Sequence, residues 1–228
     1  MSAAPARRRG RPGHDLSTVL ATSVAVFNER GFDGTSMDDL SRRLQISKSA
    51  IYHHVESKDA LLGLALDHAL TGLETAAAQV RRLDGPAVVR LETLLRASVA
   101  VLVDRLPYVT LLLRVRGNSE VERRALLRRR RLDRLVADLV REAVGDGHLR
   151  PDLDPAVTAR LLFGMVNSLT EWLKPGSRYG AETLADVVAA TAFDGLRWRA
   201  DLPADGPRNQ ESDRRVTRTR HRGGPCWR

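Results

Sequence analysis

The chain of 228 residues lacks several features that would assign it to a common class of protein. Its single cysteine, Cys226, excludes an intramolecular disulfide and favours a reducing compartment. No apolar run approaches the ~18 residues that a membrane-spanning helix needs, so the sequence predicts a cytoplasmic protein. Only 4% of the residues are aromatic, so a local cluster of ring side chains requires an explanation.

Lysine is also scarce, since all but three of the 37 basic residues are arginine. The net charge of +9 is concentrated at the two ends of the chain. Residues 1–14 carry four arginines and no acid, and residues 201–228 carry seven arginines against four acids. Both ends are polar, and we expect a disordered basic arm over 1–14 and a disordered Arg-rich tail over 201–228. Such ends suit a polyanion such as DNA, although Arg-rich ends can also be simply solvated.

Motifs for catalysis or cofactor binding are missing as well. The sequence contains no H-E-x-x-H pair, no phosphate-binding loop and no nucleophile–base arrangement. The adjacent His53 and His54 would point about 100° apart on a helix, so they cannot hold one metal ion together. The sequence therefore predicts neither an enzyme nor a protein with a metal or a cofactor.

Apolar residues recur at helical spacing along most of the chain, and strand-like alternation is never sustained. The pattern predicts an all-α protein of about nine helices. Ser119 and Asp154 are expected to cap helices, and Pro107 is expected to separate the fifth from the sixth. We place a DNA-binding domain at 15–57 and a ligand-binding and dimerisation domain at 58–200. The expected helices are about 15–30, 36–43, 47–54, 58–83, 86–105, 108–115, 119–145, 155–173 and 181–199.

The two short helices near the N-terminus form a predicted helix-turn-helix. Ser36 and Asp39 make a capping box at the start of the first, and Ser47 can cap the second. A helix as short as the second is not stable alone. We expect Ile51 and Val55 to pack it inward, which leaves its outer face free to enter a major groove of DNA.

The outer face of that helix carries donors for DNA. Lys48, Ser49, Tyr52 and His53 lie within about one turn, and all can donate to phosphate oxygens. Lys58 begins the next helix, where an ammonium and a helix N-terminus both favour a phosphate. An alternative in which one of the three ring side chains at 52–54 is buried stays open.

Residues 15–62 resemble the DNA-binding domain of TetR-family transcriptional regulators. The family pattern combines a Gly-Phe pair after the first helix, a Thr-Ser pair before the second, and a Ser-Lys and Tyr pattern in the third. At Gln45 the turn departs from the glycine usual in the family, and a left-handed backbone there would cost about 1 kcal/mol. The matching positions are Gly31, Phe32, Thr35, Ser36, Leu40, Ser47, Lys48, Ile51, Tyr52, His54, Val55, Lys58 and Leu61.

The resemblance implies a role for each matching polar residue. Thr35 and Ser36 would touch the DNA backbone, and Lys58 would clamp it. The front of the recognition helix would face the bases, and its later residues would hold phosphates. The base-facing residues would be Ser47, Lys48, Ser49 and Ala50. The phosphate-holding residues would be Tyr52 and His54, with His53 at a base or a phosphate.

The resemblance also implies a homodimeric repressor that binds a palindromic operator and is released by a small effector. The last two predicted helices are apolar around much of their circumference, which suits either a dimer interface or an intrachain core. The residues concerned are Val157, Leu161, Leu162, Met165, Val166 and Leu169 in the eighth helix, and Leu184, Val187, Val188, Thr191 and Leu196 in the ninth.

Residues 165–188 resemble TetR-family repressors of fatty-acid, sterol or phenylacetate catabolism, whose effectors are acyl-CoA thioesters such as phenylacetyl-CoA. Arg128 lies on the apolar stripe of the seventh helix, where it could meet a ligand phosphate or pair with Glu92 or Glu171. Asn167 and Glu171 could hydrogen-bond a ligand or a partner subunit. The expected apolar slot comprises Leu66, Leu70, Leu94, Val101, Leu112, Met165 and Trp172.

Two other functions stay open at this point. One is a TetR-like regulator of drug efflux that senses a hydrophobic drug-like ligand. The other is an architectural DNA-binding protein that uses its Arg-rich ends without an effector. Salt-dependent binding without sequence preference would indicate the second.

Overall fold

The computed structural model describes residues 15–174 and 176–196 of the chain. These residues form nine α-helices and no strand, which confirms the predicted all-α fold. No helix among them is long and apolar enough to cross a membrane. The predicted arm at 1–14 and the predicted tail at 201–228, with Cys226, lie outside the described residues. The helices are α1 (Leu16–Arg30), α2 (Met37–Leu44), α3 (Lys48–Tyr52), α4 (Lys58–Val80), α5 (Ala87–Asp104), α6 (Leu106–Arg114), α7 (Glu120–Gly145), α8 (Pro155–Trp172) and α9 (Ala181–Leu196).

Polar side chains cap the helices α4, α7 and α8 at their N-termini. Ser57 Oγ accepts a hydrogen bond from the N–H of Ala60 at the start of α4, at 3.0 Å. Ser119 caps α7 at 3.2 Å and Asp154 caps α8 at 2.7 Å, as predicted. Each cap satisfies a backbone N–H that has no acceptor within the helix.

The boundary between α5 and α6 differs from the prediction. The helix α5 ends at Asp104, and Pro107 lies in the first turn of α6 rather than between the two helices. A proline is tolerated there because the first helical turn needs no N–H from that residue. Two more predicted ends were too late, since α3 ends at Tyr52 and α4 ends at Val80.

A continuous core joins the N-terminal helices to the rest. Around α1 to α3 it contains Val24, Phe27, Leu40 and Ile51, all fully buried. The long helix α4 contacts α1 at one side and α5, α6 and α7 at the other. The shorter helix α6 likewise packs against both α1 and α4. Both α4 and α6 therefore connect the helix-turn-helix to the larger helical part.

Candidate DNA-binding face and adjoining cavity

The capping box predicted at the start of α2 is present. The N–H of Asp39 donates to Ser36 Oγ at 3.2 Å, and the N–H of Ser36 donates to Asp39 Oδ2 at 2.9 Å. The hydroxyl of Ser36 also donates to Asp39 Oδ2, at 2.5 Å. These hydrogen bonds lower the pKa of Asp39 to about 2, because they stabilise its ionised form. The box fixes the orientation at which α2 enters the motif.

The turn between α2 and α3 is built on a left-handed residue. Gln45 has φ 56° and ψ 36°, and it is the only non-glycine with positive φ among residues 15–174 and 176–196. Ser41 Oγ donates to the carbonyl oxygen of Ile46 at 2.6 Å and so closes the turn. The turn therefore has left-handed geometry without the usual glycine. Gln45 carries the steric cost that the sequence analysis predicted for a left-handed backbone at this position.

Ser47 caps α3 as predicted, since its Oγ accepts a hydrogen bond from the N–H of Ala50 at 3.2 Å. Ile51 is fully buried and Val55 is 6% exposed, which confirms that both face inward. Ala50 is half-buried between the core and the outer face. The five-residue helix is thus held by its cap and by two inward anchors.

The outer face of α3 exposes Lys48, Ser49, Tyr52, His53 and His54. Tyr52 is 49% exposed, and no ring of this group is buried, so the alternative of a buried ring cluster is wrong. The ammonium of Lys48 lies 2.7 Å from Asp38 in an exposed ion pair. Exposed pairs of this kind contribute little and can be exchanged for a phosphate. This face thus presents several donors side by side.

Thr35 and Lys58 are engaged within the protein. Thr35 is buried, and its hydroxyl donates to the carbonyl oxygen of Gly31 at 2.7 Å. Lys58 Nζ donates to the carbonyl oxygens of Phe32 and Thr35 at 2.9 and 2.8 Å and lies over the ring of Phe32. Both side chains stabilise the loop before α2, and their contacts with DNA stay predictions.

A small cavity lies between α4 and α8, with a volume of about 40 Å³. This is room for a few water molecules, whereas sites for small-molecule ligands usually enclose roughly 300 Å³ or more. A ligand can therefore enter only if the walls move apart. About one turn from each of α6, α7 and α8 supplies most of the lining. Its apolar lining residues are Leu73, Leu102, Val109, Leu112, Leu113, Leu132, Phe163 and Val166.

Polar groups of the cavity lie mainly on one side. Arg129 and Asp133, one turn apart on α7, line it together with Asn167 of α8. Burial lowers the pKa of Arg129, and the charge of Asp133 opposes this shift. Asp133 is exposed as a whole residue, but its carboxyl group is partly desolvated, which raises its pKa. The positive charges of Arg129 and Arg160 oppose that shift. The two charges therefore support each other at the wall of the cavity.

The sequence did not predict a role for Arg129, because Arg128 was placed on the apolar stripe of the seventh helix instead. The buried positions of α7 include Glu122, Ala125, Leu132 and Val136, and Arg129 falls on the same three- and four-residue spacing. Following the stripe from Glu122 would have identified it.

Arg128 lies outside the cavity and faces α4. Its Nε and Nη2 atoms donate to the two carboxylate oxygens of Glu74 at 2.8 and 2.7 Å, and its Nη1 atom donates to Asp67. The predicted partners Glu92 and Glu171 are therefore wrong, because α7 turns this side chain toward α4. This bidentate pair ties α7 to the helix that carries Lys58.

The other residues predicted for the ligand slot are dispersed. Leu112 and Asn167 line the cavity. Leu66, Leu70 and Leu94 lie in the general core. Val101 and Met165 are partly buried, and Trp172 is 51% exposed near the end of α8. A role for any of them in ligand binding stays a prediction.

Comparison with known proteins agrees with this architecture. Residues 19–65 match the model for bacterial regulatory proteins of the tetR family, and residues 84–196 match the model for the tetracyclin repressor-like C-terminal domain. The transcriptional repressor KstR2 of Mycolicibacterium smegmatis is 24% identical over 194 residues, which are 82% of this chain and 92% of that protein.

Solved structures extend the similarity to the whole described fold. SCO3833, a TetR-family member from Streptomyces coelicolor A3, is 46% identical with a TM-score of 0.72, and the match covers 79% of this chain and 92% of that one. AibR, solved with isovaleryl coenzyme A and operator DNA, is 26% identical with a TM-score of 0.66, over 78% of this chain and 97% of that one. These families and relatives are regulators and not enzymes. The chain belongs to the TetR family of bacterial transcriptional regulators.

Proposed function

We propose that the protein is a cytoplasmic homodimeric repressor that binds a palindromic operator and releases it when an acyl-CoA thioester enters the α4–α8 cavity. The observation that carries this proposal is the small, mostly apolar cavity, whose α6 wall is hydrogen-bonded to α1. A ligand that opens the cavity must displace a helix attached to the DNA-binding part.

The exposed face of α3 supports operator binding. Ser47, Lys48 and Ser49 are small or flexible, so the front of the helix can approach base edges closely. Tyr52, His53 and His54 follow on the same exposed part, where they can donate to phosphates. One such helix recognises one half-site, and a two-fold dimer therefore requires a palindrome.

Exposed apolar side chains on α8 and α9 support the dimer. Val157 and Leu161 of α8 are 51% and 65% exposed, and Val187 of α9 is 58% exposed. Meanwhile Leu162, Val166 and Leu169 of α8 are buried within the chain. The two stripes lie on different sides of α8, so an intrachain core accounts for the second stripe only. We assign the exposed stripe to the partner subunit.

The nature of the effector is inferred from the cavity and the relatives. A mostly apolar wall with a few polar groups, Ser98, Asn167 and the Arg129–Asp133 charges, suits an acyl group followed by polar atoms. The match to AibR, solved with isovaleryl coenzyme A, favours a thioester over a drug-like ligand. Phenylacetyl-CoA and isovaleryl-CoA are the first thioesters to test.

Fluorescence anisotropy with DNA from the protein's own upstream region tests the proposal. We expect binding that survives excess random DNA and is reversed by an acyl-CoA thioester but not by the corresponding free acid. Equal displacement by random DNA would instead support an architectural DNA-binding protein. Release by hydrophobic drugs, with no response to any thioester, would support a regulator of efflux.

A further inference from the structure

A groove of about 480 Å³ runs along the outside of the cavity, between α7 and α8. Its lining includes Arg130 and Arg134 from α7 and Arg160 from α8, together with the single carboxylate of Asp133. With three guanidinium groups against one carboxylate, the groove carries an excess of positive charge.

Two of the three cations of this groove are unpaired among the described residues. Arg130 and Arg134 make no hydrogen bond or ion pair with any residue in the described ranges 15–174 and 176–196. They are four positions apart on one helix, so their like charges repel each other by about 0.2–0.5 kcal/mol. Arg160 adds a third cation from the facing helix. An anion bound between them would remove this repulsion.

The groove on the other side of α7 has two of its arginines engaged within the protein. It also contains arginines, among them Arg81, Arg128 and Arg131. There, however, Glu74 and Asp67 hold Arg128, and the charge of Arg131 acts on Glu74. Two of the four arginines of the α4–α7 groove are therefore engaged by acids of the protein, and a third, Arg134, lines the α7–α8 groove as well.

The α7–α8 groove and the cavity adjoin each other at Asp133, which lines both. A ligand that occupied both would need an apolar head and a polyanionic tail. We propose that Arg130, Arg134 and Arg160 bind the phosphates of the coenzyme A part of the effector, while the acyl group enters the cavity. This inference rests on the proposed acyl-CoA function and names the residues that select a CoA thioester over a free acid.

The chemistry of arginine fits this role. A guanidinium donates to a phosphate through two parallel N–H groups, so three of them can hold the several phosphates of CoA with defined geometry. Leu127, which is 52% exposed in the same groove, offers an apolar surface for the adenine ring. The groove thus provides both kinds of contact that the nucleotide part of CoA requires.

The groove is distinct from the proposed dimer face. Arg160 and Ala156 each precede one of the exposed apolar residues Leu161 and Val157 by one position. Neighbouring residues on a helix point about 100° apart, so the groove lies beside the dimer face rather than on it.

Isothermal titration calorimetry of the full-length protein tests the site with the double variant Arg130→Gln/Arg160→Gln, whose two arginines line this groove and not the α4–α7 groove. The probes are phenylacetyl-CoA, isovaleryl-CoA, S-phenylacetyl-pantetheine, which lacks phosphates, and CoA itself. We expect the variant to bind the two CoA thioesters at least about tenfold more weakly and to bind the pantetheine thioester as wild type does. The matched control Arg81→Gln/Arg131→Gln removes the same charge from the other groove and should leave all affinities within about twofold.

Several outcomes would overturn the inference. These are unchanged affinity of the double variant for both CoA thioesters, an equal loss for the pantetheine thioester, or a loss of operator affinity or of dimerisation in place of effector affinity. If wild type binds CoA through these arginines but gains nothing from an acyl group, the phosphate site stands and the proposed acyl effector falls. If wild type binds none of the probes, both fall.

Discussion

The side-chain amide of Asn28, near the end of α1, donates a hydrogen bond to the carbonyl oxygen of Pro107, in the first turn of α6, over 2.8 Å. At the other end of α6, Arg114 donates to the carbonyl oxygen of Asn28 itself. Val109 and Leu112, between these two points, line the cavity. A single short helix therefore contacts the cavity with one face and the DNA-binding part at both ends.

We expect Asn28→Ala to weaken the coupling between effector binding and operator binding. The substitution leaves the carbonyl of Pro107 without this donor, so the free energy of unfolding should fall by about 1–2 kcal/mol, as measured by urea denaturation. The ratio of operator affinities without and with phenylacetyl-CoA should fall as well, because α6 is less firmly bonded to α1.

The adjacent variant Glu29→Ala is the control for Asn28→Ala. Glu29 forms an exposed ion pair with Arg43, so its loss should change stability by less than about 1 kcal/mol and leave the ratio unaltered. A full effector response in Asn28→Ala would show that the coupling does not pass through this hydrogen bond.

The left-handed turn residue leads to a second prediction. Gln45→Gly should raise the free energy of unfolding by about 1 kcal/mol, because glycine adopts φ 56° without the steric cost of a side chain. Gln45→Ala retains a Cβ atom and should change stability by less than about 0.5 kcal/mol. Operator affinity should stay within about twofold of wild type in both. A Gln45→Gly protein less stable than wild type would mean that the side chain of Gln45 contributes more than its backbone strain removes.

The parts predicted well from the sequence depend on short-range rules. The capping box of Ser36 and Asp39 and the cap of Ser47 each join residues three positions apart, so the local sequence is sufficient. The inward orientation of Ile51 and Val55 follows from helical spacing in the same way.

The parts predicted poorly depend on contacts between distant segments. Lys58 donates to carbonyl oxygens of residues 23 and 26 positions earlier, which no local pattern reveals. Arg128 and Arg129 are neighbours in an arginine run, yet one pairs with α4 and the other lines the cavity. The rotation of α7 about its axis, relative to the neighbouring helices, determines which of these two arginines pairs with α4 and which lines the cavity.

A third prediction separates DNA contact from folding in α3. Tyr52→Ala should lower operator affinity by about tenfold, since a phosphate contact is lost, while stability changes by less than about 0.5 kcal/mol. The neighbouring Ile51→Ala should instead lower the free energy of unfolding by about 2–5 kcal/mol, because Ile51 is fully buried. Anisotropy titrations and thermal denaturation measure the two effects. Tyr52→Ala with normal operator affinity would remove Tyr52 from the DNA-binding face.

A fourth prediction concerns the dimer. Leu161→Glu should convert the protein to a folded monomer in analytical ultracentrifugation at micromolar concentration, because it places a charge in the proposed interface. Affinity for the full palindrome should fall, since one half-site contact is lost. Val89→Glu is the matched control, because Val89 is 54% exposed and belongs to α5, which is not one of the two proposed interface helices. A dimeric Leu161→Glu protein would place the interface elsewhere.

The capping box leads to a prediction about pH. Because Ser36 lowers the pKa of Asp39 from 3.8 to about 2, the ionised form is bound more firmly in the folded protein than in the unfolded chain. The stability that Asp39 contributes is therefore complete above pH 3.8 and is lost as the pH falls toward 2.

Thermal denaturation of wild type and of the neutral variant Asp39→Asn should show a difference in melting temperature near pH 6 that narrows steadily as the pH falls from 3.8 to 2. Ser36→Ala removes the hydroxyl that is the largest cause of the pKa shift of Asp39. It should therefore reduce the part of the stability that is lost between pH 3.8 and pH 2. A difference between wild type and Asp39→Asn that persists unchanged at pH 2 would mean that the carboxylate is not stabilised by the box.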